Sequence, residues 1–259
     1  MHKFKEIFMS ESILTVTDLE FAYFSDTTIL DNVNLSFKQG KKIAILGDNG
    51  AGKTTLFLVL NGILKPRKGK VYFKGKEIKY DQKSLIDLRK NVGIVFQDPD
   101  TQLFSASVYQ EVSFGPMNLG LSKEESHQRV VKALEATGIT TLKNHPTHFL
   151  SYGQKKRVSI ADIIAMETEV IILDEPTEFI DPFHKKHIIS LLDDFNNQGK
   201  TIIVSTHDMN IAYAWADTII ILKNGKVLKE GTPQEIFIEE ETIKKACLIN
   251  PFIVDWYNK

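Results

Sequence analysis

The 259-residue chain predicts an α/β fold, with a largely parallel sheet, an antiparallel β piece at the front and a helical insert in the middle. Three observations carry that prediction. The apolar runs at 41–46, 170–173 and 201–205 are continuous rather than alternating, as in strands buried on both faces. The last two are separated by a helical stretch at 184–196, and the strand-helix-strand order is that of a parallel sheet with right-handed crossovers. The segments 218–222 and 226–229 flank Asn224-Gly225, a pair suited to a tight hairpin turn.

The remaining elements follow in chain order. Residues 13–16 and 34–37 read as short strands from their β-branched or alternating composition. A glycine-rich turn leaves the strand at 41–46, and a helix over 54–63 follows. Residues 71–73 give a strand that turns at Gly75, and 92–96 a buried strand stopped by Asp98-Pro99. Within 123–137, Val130, Val131 and Leu134 recur at helical spacing, and a second helix runs from near Ser151 towards Met166. The helical insert therefore spans roughly 98–168 of a single domain covering 1–259. The basic stretch Lys65, Arg67, Lys68, Lys70, Lys74 and Lys76 reads as a solvated β edge, where lysine discourages further pairing.

Composition narrows the class of function. With 32 Lys+Arg against 33 Asp+Glu the net charge is -1, without the basic excess of a nucleic-acid binder, so no nucleic-acid partner is expected. Hydrophobic content of 42% supplies a core and argues against disorder. A single cysteine, Cys247, cannot form an intrachain disulfide, which fits a reducing compartment. No apolar run approaches the ~20 residues of a spanning helix. The opening Met1-His2-Lys3-Phe4-Lys5-Glu6 leads into no uninterrupted apolar stretch, so no cleaved secretion signal is expected. A cytosolic, folded chain is the expectation.

Gly47-Asp48-Asn49-Gly50-Ala51-Gly52-Lys53-Thr54 fits G-x-x-x-x-G-K-[ST] between a buried strand and a helix. Such a loop wraps backbone amides around phosphate oxygens at a helix N-terminus, with Lys53 reaching the β- and γ-phosphates. Thr54 offers a hydroxyl to Mg²⁺, and Thr55 continues the binding segment. The strand at 170–173 ends in Asp174-Glu175: Asp174 is placed to hold Mg²⁺ through water, and Glu175 to polarise an attacking water as general base.

Leu150-Ser151-Tyr152-Gly153-Gln154-Lys155-Lys156-Arg157 resembles the LSGGQ signature of ATP-binding-cassette ATPases, and other marks of that family fall in order. Tyr23 resembles the aromatic that stacks on adenine, Gln97 the Q-loop glutamine, Asp181 the end of the D-loop and His207 the switch histidine. The resemblance runs roughly from Ile13 to Phe237. It implies a P-loop NTPase fold of the ABC ATPase type: a RecA-like core, an antiparallel β subdomain and a helical subdomain. It also implies ATP and Mg²⁺ as cofactors, with Thr54, Gln97 and Asp174 as the metal's protein partners. By the same resemblance Ser151, Gly153 and Gln154 serve the nucleotide of a second ABC ATPase chain, giving a two-fold sandwich dimer, homo- or heteromeric, with Asp181 at its seam.

Two departures stand out. Tyr152 replaces the usual first glycine of the signature pair, and Thr177-Glu178-Phe179-Ile180-Asp181 differs from the common T-A-G-L-D. The other histidines, His2, His127, His145, His148, His184 and His187, read as structural, and part of the charge of Lys155-Lys156-Arg157 as a solvated helix face.

The run Gln97-Asp98-Pro99-Asp100-Thr101-Gln102-Leu103-Phe104, continued by Ser113-Phe114-Gly115-Pro116-Met117-Asn118, is similar to the ATPases of energy-coupling-factor importers, especially the cobalt-uptake branch. That likeness implies a motor on the inner face of the cell membrane, bound to integral membrane coupling and substrate-binding subunits near 97–115. The cargo is then cobalt, another transition metal or a vitamin. A metabolic kinase has no role for Ser151-Tyr152-Gly153-Gln154, and a translation or repair ATPase would carry a second cassette or a long coiled coil.

Overall fold

The computed structural model describes residues 11–24, 27–252 and 254; the opening residues read for a signal, and His2, lie outside these. Two sheets organise the chain. The larger has six strands in the order β10-β9-β3-β8-β7-β6. Its parallel members are β3 (Lys42–Leu46), β6 (Val92–Val95), β7 (Val170–Asp174), β8 (Thr201–Ser205) and β9 (Thr218–Lys223), and β10 (Lys226–Gly231) closes one edge antiparallel to β9. Strands β6, β7 and β8 are buried at every position, which is why their sequences are continuously apolar.

Alternate side chains of these strands feed opposite cores. Ile172 and Ile203 join a cluster with Leu56 and Phe57 of α1 (Lys53–Leu60) and with the smaller sheet. Ile171, Leu173, Ile202 and Val204 pack instead on α5 (Tyr152–Met166) and α6 (Pro182–Asn197) through Ile160, Ile188 and Leu192. Near the chain's end, Ile219 and Ile221 meet Met209 of α7 (Met209–Trp215), Ile236 of α8 (Pro233–Phe237) and Ile243 of α9 (Glu240–Lys245).

The smaller sheet is antiparallel, ordered β2-β1-β4-β5, from β1 (Ser12–Ala22), β2 (Thr28–Lys38), β4 (Lys68–Phe73) and β5 (Lys76–Glu77). The two strands expected to be short are each 11 residues long. Their alternation is hidden by an irregularity at Asp18, whose φ is 49°, after which pairing resumes with Leu19 opposite Val33. The lysines of β4 do line an open flank beyond the two-residue β5, but they are paired: Lys68 with Glu20, Lys70 with Glu77 and, just past the strand, Lys74 with Glu169.

Five helices are not read from the sequence: the short α7, α8 and α9, and the longer α2 (Gln82–Asn91) and α3 (Val108–Asn118). Helix α2 is mostly polar with only Leu88 buried, and α3 contains Gly115-Pro116, which reads as a break. Between β6 and β7, α3, α4 (Lys123–Ala136) and α5 share a core of Val112, Val130, Leu134, Val158 and Ala161. Since α5 also packs on the main sheet, it joins the helical region to the rest. Among the described residues no helix is long and apolar enough to cross a membrane.

Candidate functional site

The parallel register sets the site. Ser205 pairs with both Ile45 and Asp174, so the carboxyl ends of β3, β8 and β7 lie side by side, and ligands of such sheets bind at that edge. The loop leaving β3 bends back over this edge into α1. A Cβ at Gly47 would lie 2.2 Å from the Leu222 carbonyl oxygen, so only glycine lets the loop cross β9 this closely. Residues Asp48 to Thr55 line one cleft together with Tyr23, Gln97, Asp174, Glu175 and His207. Thus Asp48, Asn49, Gly50, Ala51, Gly52, Lys53, Thr54 and Thr55 all meet the other cis residues that the sequence pointed to.

Lys53 is buried and donates to the carbonyls of Gly47 (2.6 Å) and Asp48 (3.2 Å). Burial lowers its pKa against the pull of Glu175, Asp174 and Asp48. Thr54 Oγ1 donates to Asp174 Oδ2 at 2.5 Å, and Ser205 Oγ donates to Asp174 Oδ1 at 2.5 Å. The same Ser205 hydroxyl accepts the Glu175 amide at 2.9 Å. Ser205 was missed in the sequence; its signal is its register beside Asp174. Hydroxyl, carboxylate and carboxamide oxygens beside a phosphate loop form the hard donor set that suits Mg²⁺.

Glu175 is 5% exposed and has a φ of 45°, a strained value for a non-glycine residue. Burial raises its pKa to about 7, with Lys53 opposing and Asp174 and Glu178 adding to the rise. His207 donates its backbone amide to Glu175 Oε2 at 3.3 Å. Its Nε2 lies 3.2 Å from Oε1 but out of line for a hydrogen bond, so this buried oxygen has no donor among the described residues. A buried carboxylate with one free oxygen and a pKa near neutrality is equipped to take a proton from water. The His207 pKa is lowered by burial and by Lys53, which favours the neutral imidazole.

Tyr23 stands at the mouth of the cleft, 51% exposed, its ring edge-on to Phe21 and its hydroxyl 3.4 Å from Thr55 Oγ1. Gln97 turns its amide towards the 177–181 loop, with Nε2 donating to Glu178 Oε2 at 2.7 Å.

The signature residues do not join this cleft. Ser151 caps α5, accepting the Gln154 amide while the Gln154 side chain accepts the Ser151 amide (2.9 Å), a reciprocal capping box. A Cβ at Gly153 would meet nothing within 4 Å. Glycine in a helix is about 1 kcal/mol worse than alanine, so the chain's own packing does not account for it. Asp181 caps α6 and binds His184 Nδ1 at 2.6 Å, outside the cleft. The basic run behind the signature is no solvated face. Lys156 is fully buried and donates to the carbonyls of Phe96 and Gln97, Lys155 pairs with Asp100, and Arg157 donates to the Gly138 carbonyl. Helix α5 must pass beneath the loop after β6, whose carbonyls need donors.

The ABC transporter family model matches residues 30–178, more than half of the chain, and the chain belongs to that family. It is 53% identical over 239 residues to the energy-coupling factor transporter ATP-binding protein EcfA of Methanocaldococcus jannaschii, covering 92% of this chain and 86% of the relative. Among solved structures, CbiO1 of Clostridium perfringens, described as part of the ABC transporter complex CbiONQ, superposes with a TM-score of 0.80 at 47% identity, covering 96% of this chain and all of that one. The cassette MJ0796, in a dimeric post-hydrolysis state bound to ADP and Pi, gives a TM-score of 0.79 at 30% identity, covering 85% and 98%. The fold is that of the ABC ATPases, a P-loop core with an antiparallel β subdomain and a helical one. The chain is an ATP-binding ATP hydrolase of the energy-coupling factor type, of the kind that powers transport.

Proposed function

We propose that this chain is the ATP-hydrolysing motor of an energy-coupling-factor importer for cobalt or another transition-metal ion, working as a dimer at the inner face of the membrane. The observation that carries the dimer is the division of the site. The cleft gathers every cis residue, while Ser151 and Gly153 stand at a helix N-terminus outside it, with glycine that serves no contact of its own chain. A second ABC ATPase chain, like or unlike, brings its own Ser151 and Gly153 counterparts to the γ-phosphate across the seam, where Asp181 lies.

The phosphates of ATP lie on the amides of the loop at the N-terminus of α1, and Lys53 turns from the Gly47 carbonyl to them. Thr54, Gln97 and, through water, Asp174 would hold Mg²⁺, which would neutralise charge on the β- and γ-phosphates. Glu175 accepts a proton from the water whose oxygen attacks the γ-phosphorus as the bond to the β-phosphate oxygen breaks, and ADP and phosphate leave. His207 orients Glu175 and the water, and Tyr23 stacks on adenine. Closure by two nucleotides and reopening after hydrolysis give a two-state stroke.

The membrane-facing surface is the exposed pair Phe104 and Phe114, packed edge-on with ring centroids 4.9 Å apart, together with exposed Met117. These lie in the 98–168 insert of the single domain, and integral membrane coupling and substrate-binding subunits seat there. Transport tests the reading: cells producing this chain with the membrane proteins encoded beside it should take up ⁵⁷Co²⁺, and Lys53→Ala should abolish the uptake. Uptake of a labelled vitamin instead would reassign the cargo, and co-purification with no membrane protein would remove the importer.

A further inference from the structure

The two departures from the family pattern, Tyr152 in the signature and Glu178 in the D-loop, converge on one residue. Tyr152 Oη donates to the Gln97 carbonyl at 2.8 Å, and Lys156 Nζ donates to the same oxygen at 2.6 Å. Gln97 Nε2 donates to Glu178 Oε2 at 2.7 Å. Tyr152 and Phe179 close the circuit with rings 5.8 Å apart at 87°. The loop backbone is therefore clamped from the signature helix, and its carboxamide is held from the D-loop. Glycine at 152 and alanine at 178, as in the common pattern, could make neither hydrogen bond.

A glutamine amide is two-ended, and only its oxygen can bind a cation. An ionised carboxylate accepts hydrogen bonds and cannot donate, so a partner such as Glu178 selects the nitrogen end and leaves Oε1 on the opposite limb of the planar amide. Gln97 itself lines the phosphate cleft with Thr54 and Asp174.

We propose that Glu178 is a positioning residue for the metal, fixing the flip of the Gln97 carboxamide so that Oε1 is presented to the Mg²⁺ of MgATP. This rests on the reading of Gln97 as a metal partner. It makes the D-loop of this chain an outer support of the metal site, so a dimer partner that shifts the D-loop also adjusts the metal's ligand. Partners that orient a metal ligand are worth about 10–100-fold in metal affinity when removed. The Gln97–Glu178 bond is solvent-exposed, so the effect belongs at the lower end.

The test is the tightening that Mg²⁺ gives to nucleotide binding, read as the ratio of mant-ATP dissociation constants in EDTA and in Mg²⁺ for the intact chain. Glu178→Ala and Glu178→Gln, the latter able to offer either end of an amide, should each reduce that ratio by about tenfold. Binding in EDTA should stay unchanged. Glu178→Asp should restore most of the ratio, and Gln97→Ala combined with Glu178→Ala should be no worse than Gln97→Ala. If Gln97→Ala reduces the ratio and Glu178→Ala does not, the positioning inference is wrong while the metal reading stands. A ratio that rises in Glu178→Ala also overturns it, because Glu178 would then compete for Gln97. If Gln97→Ala leaves the ratio intact, the metal reading itself fails.

Discussion

The phosphate-loop face and the signature face of this molecule are built on opposite principles. Around the loop, polar groups meet within the chain: Thr54 and Ser205 share the two oxygens of Asp174, and Ser205 also takes the Glu175 amide. Asp174 and Ser205 are held at adjacent strand ends, and Thr54 reaches Asp174 from the first turn of α1. At the signature, the side chains of Ser151 and Gln154 cap each other's backbone amides, and a Cβ at Gly153 would meet nothing within 4 Å among the described residues. The first face is preorganised by its own chain; the second is, in the proposed dimer, the helix end that meets another molecule. The lesson is that a half-site can be recognised by a residue choice that its own fold does not require.

The sharpest way to break this contrast is at Glu175, the proposed general base. Glu175→Gln should lower turnover by about 10²–10⁴-fold while ATP affinity, measured by calorimetry, stays within a few-fold; retained turnover would remove Glu175 from the chemistry. On the other face, Gly153→Ala meets no atom of its own chain. It should fold with equal stability or gain up to about 1 kcal/mol. Its hydrolysis should nevertheless fall by about 10²-fold, because the added Cβ would displace the γ-phosphate that a second chain brings to this helix end in the proposed dimer. A variant that is both stable and fully active would end the trans reading of the signature. Lys53→Ala removes a charge-assisted phosphate contact and should weaken ATP binding by about 10–100-fold by titration.

Smaller effects sharpen the same picture. Glu175 has its pKa raised to about 7 by burial, and the base acts when ionised. The rate should therefore fall towards about tenfold per unit as pH drops below 7 and level off above it. A flat profile between about pH 5.5 and 8 would contradict the assignment. Tyr152→Phe removes one hydrogen bond to the Gln97 carbonyl, which Lys156 still serves. It should cost about 1 kcal/mol, seen as a fall of about 2–4 °C in Tm.

The sequence made the phosphate-loop face easy to read because its chemistry sits at strand ends. A continuous apolar run followed by Asp174-Glu175, or by Thr206-His207, marks both the element and the place where it stops. What stayed hidden depends on long-range geometry. Ser205 matters only through its register with Asp174, and Lys156 reads as a surface charge until α5 passes under the loop after β6. Helix α3 was masked by Gly115-Pro116, and the length of β1 by the irregularity at Asp18. Glu178 was legible only as a departure from a family pattern; its partner, 81 positions away, needed the fold.

The central claim is that one chain carries two half-sites completed by a second chain, and light scattering of Glu175→Gln tests it most directly. With ATP and Mg²⁺ the variant should run at twice the 29.4 kDa of a single chain, and Gly153→Asp in the same background should return it to one. A Glu175→Gln protein that binds ATP yet stays at the mass of one chain would contradict the account.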